Sequence, residues 1–122
     1  MKYLLIMNVN PATMAALTDE EREQIGHGHQ AFMDTITGTG ELIVTQALAD
    51  PSNTVVVKSE GGAQVVTDGP YIEAKEFMGG FYLVECENQE RAVELAKLIP
   101  DTGFEGFGVE VRPVMFSAGL EM

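Results

Sequence analysis

Thr67-Asp68-Gly69-Pro70-Tyr71-Ile72-Glu73-Ala74-Lys75-Glu76, followed by Gly79-Gly80-Phe81-Tyr82, punctuates the middle of this chain. An acidic residue closes a β-branched run, and Gly-Pro turns the chain at once. That turn fixes the Asp68 carboxylate at the end of a sheet. Just upstream, Thr54 to Ser59 and Ala63 to Thr67 flank Glu60-Gly61-Gly62, which signals a hairpin. Just downstream, Gly80 to Glu87 reads as a strand apolar on both faces.

Lys2 to Val9 is a first strand, with Leu4 and Ile6 on one face and Tyr3, Leu5 and Met7 on the other. Asn10-Pro11 ends it. Thr18-Asp19-Glu20-Glu21 is a capping box and predicts a helix from about Asp19 to about Thr37, stopped by Gly38 and Gly40. Glu41 to Leu48 is a second strand. Asn88 caps a helix from Gln89 to Ile99, with Ala92, Leu95, Ala96 and Ile99 inward. Pro100 stops it, and Thr102 to Gly108 is a glycine-rich loop. Val109 to Met115 is a last strand, placed at an edge or bulge by Pro113. The tail from Ser117 frays.

The order β-α-β-β-β-β-α-β predicts an α+β fold: a ferredoxin-like antiparallel sheet with two main helices and an inserted hairpin. Two helices cover one sheet face. Several strands are apolar on both faces, so a second copy of the chain is expected on the other.

Composition narrows the classes of function. The 122 residues fit one domain, residues 1–122. The net charge is −12, and the seven basic residues are scattered, so no nucleic-acid footprint exists and an anionic membrane surface is disfavoured. No apolar run approaches a membrane span. The N-terminus lacks the basic and cleavage features of a signal peptide, and the lone Cys86 forms no internal disulfide, so a cytoplasmic setting is expected.

His29 falls in a stripe with Ile25, Phe32 and Ile36, on the core side of the first helix, whereas His27 points to solvent. His27-Gly28-His29 is therefore no helical chelate, because chelating pairs need a spacing of three or four. No metal or other cofactor is expected. Two readings of His29 stand side by side: a core histidine bonded to a backbone carbonyl, or a site residue. Gly26 and Gly28 each cost roughly 0.5–1 kcal/mol in a helix relative to Ala. Something approaches the backbone there, or the helix packs closely on a sheet. Asp68 is either a turn residue or a site carboxylate. Lys75 belongs to a solvated charge run or holds an anionic group near Asp68. Arg112 pairs with Glu110 or Glu85, or binds a substrate carboxylate. Tyr71, Phe77, Phe81 and Tyr82 fill core or line a pocket, and Cys86 is a buried, inert thiol.

Val66-Thr67-Asp68-Gly69-Pro70-Tyr71 with Glu73, Lys75 and Glu76, then Gly79-Gly80-Phe81-Tyr82-Leu83, resembles the YCII-related family in its DGPF-domain branch. Met1-Lys2-Tyr3-Leu4-Leu5 and Val109-Glu110-Val111-Arg112-Pro113-Val114 fit it as well. Tyr71 departs from the branch's usual Phe, and its hydroxyl would alter what a pocket accepts. Gly26-His27-Gly28 departs from the usual run of helix formers.

The resemblance implies a homodimer closed through sheet faces into a dimeric α/β barrel. It also implies a site built from a helix histidine, matched by His29, and an aspartate, matched by Asp68. Most members have no assigned activity; some are similar to proteins linked with alternative sigma factors, which implies a sigma factor as partner. Two functions are thus expected in parallel. One is a metal-independent enzyme in which Asp68 orients His29 for acid-base chemistry on a small molecule, with Tyr71, Lys75 and Arg112 binding substrate. The other is a non-catalytic binding or regulatory module.

Overall fold

The computed structural model describes residues 1–69 and 76–119. Its strands and helices are β1 (Lys2–Val9), α1 (Pro11–Ala16), α2 (Asp19–Gly38), β2 (Leu42–Ala47), β3 (Val55–Glu60), β4 (Ala63–Asp68), β5 (Phe77–Glu85), α3 (Gln89–Lys97) and β6 (Phe107–Pro113). Single 3₁₀ turns occupy Pro51–Asn53 and Pro100–Gly103. None of the described helices is long and apolar enough to cross a membrane.

Four strands form an antiparallel sheet in the order β2-β5-β1-β6. The α+β class and the antiparallel sheet agree with the sequence pattern. Edge strand β6 ends on Pro113, where a missing N–H costs no ladder bond. The hairpin β3–β4 is a separate two-stranded sheet, with Val57 opposite Val66 and Val55 opposite Asp68.

Among the described residues three helices form, where the pattern predicts two main ones. Asn10-Pro11 does end β1, but it also starts α1. The Asn10 side chain accepts from the amides of Ala12 and Thr13, and Pro11 occupies the first turn, where no N–H is required. The α2 capping box is present on both sides: Glu21 N–H donates to Thr18 Oγ1 at 3.1 Å, and Thr18 N–H to Glu21 Oε1 at 2.9 Å.

The core lies between the helices and one sheet face. Tyr3, Leu5 and Met7 of β1 meet Phe32 and Ile36 of α2, Ala92 and Leu95 of α3, and Tyr82 and Val84 of β5. Leu5, Ile36 and Leu95 are fully buried. Each contributes about 1.5–3 kcal/mol of transfer free energy. Leu4 and Ile6 point the other way, opposite Leu83 and Phe81 of β5. A bidentate pair ties the start of β2 to α3: Arg91 Nε and Nη2 donate to Glu41 at 2.9 and 2.8 Å. This hydrogen bonding holds the Glu41 carboxyl below its ordinary value.

Candidate functional site

The two glycines of α2 have different causes. A Cβ on Gly28 would lie 2.7 Å from Pro100 Cβ, so the turn after α3 sits directly against the helix backbone. A Cβ on Gly26 would meet nothing within 4 Å. Gly28 admits a neighbour, whereas Gly26 leaves a space open.

The Gly28 contact has a chemical result. Pro100 brings the next residue, Asp101, beside His29, and the carboxylate lies 2.7 Å from His29 Nε2. The other ring nitrogen, Nδ1, lies 2.6 Å from the Tyr82 hydroxyl. Asp101 accepts from Nε2–H. The neutral ring then accepts the Tyr82 O–H at Nδ1, while the protonated ring donates to the tyrosine oxygen. The His29 and Tyr82 rings are stacked at 5.8 Å with planes 11° apart, and Phe32 braces Tyr82 edge-on at 4.9 Å. Asp101 is only 6% exposed. Burial, followed by the nearby Asp101 charge, pushes the Tyr82 phenol up to about 12, with the Thr45 hydroxyl acting the other way. Tyr82 therefore keeps its proton at neutral pH.

This chain of groups lies on the wall of a cavity of about 550 Å³ between α1, α2 and the sheet. Met7, Val9, Leu17, Ile25, Met33 and Phe107 make most of it apolar, and Gly26 forms part of the wall. Arg22 stands on the same wall, and its Nη2 donates to Met14 O at 2.8 Å, joining α2 to α1.

The expected His29–Asp68 pair does not form. Asp68 is exposed at the end of β4, opposite Val55, and no hydrogen bond joins it to His29. The physical reason is that β4 belongs to the separate hairpin, so its end is not an end of the sheet that α2 covers. Arg112 pairs with Glu110. Its register opposite Leu4 puts it on the sheet face away from the helices. Tyr71 and Lys75 lie outside the described residues. His27 is exposed, as its helical phase requires. Burial holds the Cys86 thiol above its ordinary value, which matches an inert thiol.

Asp101 and Arg22 are not among the sequence-predicted site residues. Asp101 is 72 positions from His29, and Pro100-Asp101 reads locally as a helix stop. Arg22 carried a usable signal: Arg22, Ile25, Gly26, His29 and Met33 follow helical spacing along one face.

The chain matches the YCII-related domain over residues 1–116. It belongs to the YCII-related domain family. It is also 25% identical over 114 residues to an uncharacterized protein of Rhizobium meliloti (strain 1021), a match spanning 93% of this chain and 92% of that one.

Proposed function

We propose that this YCII-related protein binds a small molecule in the α2 cavity and performs proton transfer on it without a metal. The observation that carries this reading is a histidine held by a buried carboxylate and a protonated tyrosine on the wall of an otherwise apolar space. Both ends of His29 are fixed before any ligand arrives, as a positioned acid-base group requires. The chemistry fitting these groups is removal of a proton next to a carbonyl. Tyr82 O–H turns from Nδ1 to the substrate oxygen and donates to it as negative charge develops. The freed Nδ1 takes the carbon proton. Asp101 holds the ring and balances the imidazolium. Return of the proton to the same carbon gives exchange, and return to the γ-carbon of a β,γ-unsaturated substrate completes an isomerisation. In this reading Asp101 fills the place expected for Asp68.

Deuterium exchange tests it. A panel of small carbonyl compounds is screened for thermal stabilisation, and binders are followed by proton NMR in D2O. The expected result is loss of the acidic C–H signal with wild type, at least 100-fold slower with Tyr82→Phe and His29→Gln. Compounds that bind but do not exchange would reduce the protein to a binding module.

We also propose that the chain falls in the DGPF branch, on the Asp68-to-Tyr71 motif, and that two copies face each other through the sheet. Leu4, Phe81 and Leu83 on the helix-free face support the second point.

A further inference from the structure

The cavity is charged asymmetrically. Among the described residues lining it, Arg22 alone carries a fixed positive charge, and Asp101 alone a carboxylate. Arg22 lies seven residues before His29 on one face of α2, two turns or about 10 Å along the axis. Asp101 sits at His29 itself, bonded to its Nε2.

Arg22 also differs from the chain's other arginines. Arg91 pairs with Glu41 and Arg112 with Glu110. Among the described residues no carboxylate lies within 4 Å of Arg22, although the chain carries 19 acidic residues. Its recorded side-chain bond is to one backbone carbonyl through one nitrogen. A guanidinium has five donors, so most of its hydrogen-bonding capacity remains for another acceptor. Between Arg22 and His29 the wall is Ile25 and the bare backbone of Gly26.

We propose that the ligand is an amphipathic monoanion, with one carboxylate or equivalent group on Arg22, an apolar body over Gly26 and Ile25, and its reactive end at Tyr82 and His29. This deepens the cavity reading above and rests on it. The Asp101 carboxylate repels a head group placed the wrong way round, so charge sets the orientation as well as the affinity. Acids of aryl or short alkyl type are the class that combines one such charge with an apolar body.

The test uses matched probes on the whole protein: benzoate, phenylacetate and 3-phenylpropanoate, each beside its neutral amide and its ammonium counterpart, titrated by NMR. Variants are Arg22→Gln and Gly26→Leu. At least one acid is expected to bind wild type tenfold or more tighter than its amide, with the ammonium weakest. Arg22→Gln is expected to bring acid and amide within about twofold while leaving the amide's affinity unchanged. Gly26→Leu is expected to remove all binding. Equal binding of acid and amide, or preference for the ammonium, overturns the anion assignment while the cavity reading stands. Equal loss of acid and amide in Arg22→Gln also overturns it. No binding by any probe to wild type, or full binding to Gly26→Leu, overturns both.

Discussion

His29 takes its meaning from two partners that a helical wheel does not show. Its stripe with Phe32 and Ile36 is periodic, so its inward position was readable from spacing. The identity of its carboxylate was not, because the Asp101 contact is made by tertiary packing of a turn far along the chain. Tyr82 shows the same limit: alternation marks it as inward, and only the fold makes it the hydroxyl on Nδ1. Its raised phenol has a measurable consequence. A group whose folded pKa exceeds its unfolded value stabilises fully below the unfolded value, near 10, and loses that contribution as pH rises through about 12. Stability is therefore expected to fall between pH 10 and 12, by on the order of 2 kcal/mol, and less in Tyr82→Phe. Denaturant titrations of both proteins across that range check this.

Gly26 and Gly28 are separated by one residue and predict opposite outcomes at the level of the helix. Gly26→Ala adds a methyl in open space and gains helix propensity, so stability should rise by about 0.5–1 kcal/mol. Gly28→Ala gains the same propensity but drives a methyl into Pro100, at a typical overpacking cost of about 1–3 kcal/mol. A net loss is expected, together with loosening of Asp101 from His29. Melting curves of the two variants read the sign directly. The glycines themselves were conspicuous in the sequence; their separate reasons were not, because one depends on where α3 ends and the other on what is missing from the cavity. Helix α1 was legible in principle, since Asn10-Pro11 is a cap followed by a first-turn proline, but the same dipeptide also reads as the end of β1. The Glu41–Arg91 pair joins β2 to α3 and has its own pH dependence. A lowered carboxyl stabilises above its unfolded value of 4.5 and loses that contribution as pH falls through the folded value. Arg91→Met is expected to flatten the acid limb of the stability curve, measured by urea midpoints between pH 3 and 6.

Across the whole molecule, the antiparallel sheet and its core were legible because alternation in β1 and β5 puts one face of each against helices. The hairpin was legible from Gly61-Gly62, yet its detachment from the main sheet was not, since turn chemistry fixes a pair of strands and not what the pair packs on. Its Val57 is 65% exposed, and Val55 and Val66 are similarly open. Apolar surface of this kind usually marks a contact. Two copies joined through the helix-free face are expected to give about twice the 13.2 kDa chain mass by light scattering, and Phe81→Glu to return it to one chain. The central claim concerns the cavity that Gly26 opens beside Asp101, His29 and Tyr82. It is tested most directly by NMR of the His29 ring during a small-molecule screen, on wild type and on Gly26→Leu. Compounds that shift the His29 ring signals in wild type, and fail to do so in a folded Gly26→Leu, are the predicted result. Ligands that bind while leaving the His29 ring unchanged, or that bind both proteins alike, would contradict it.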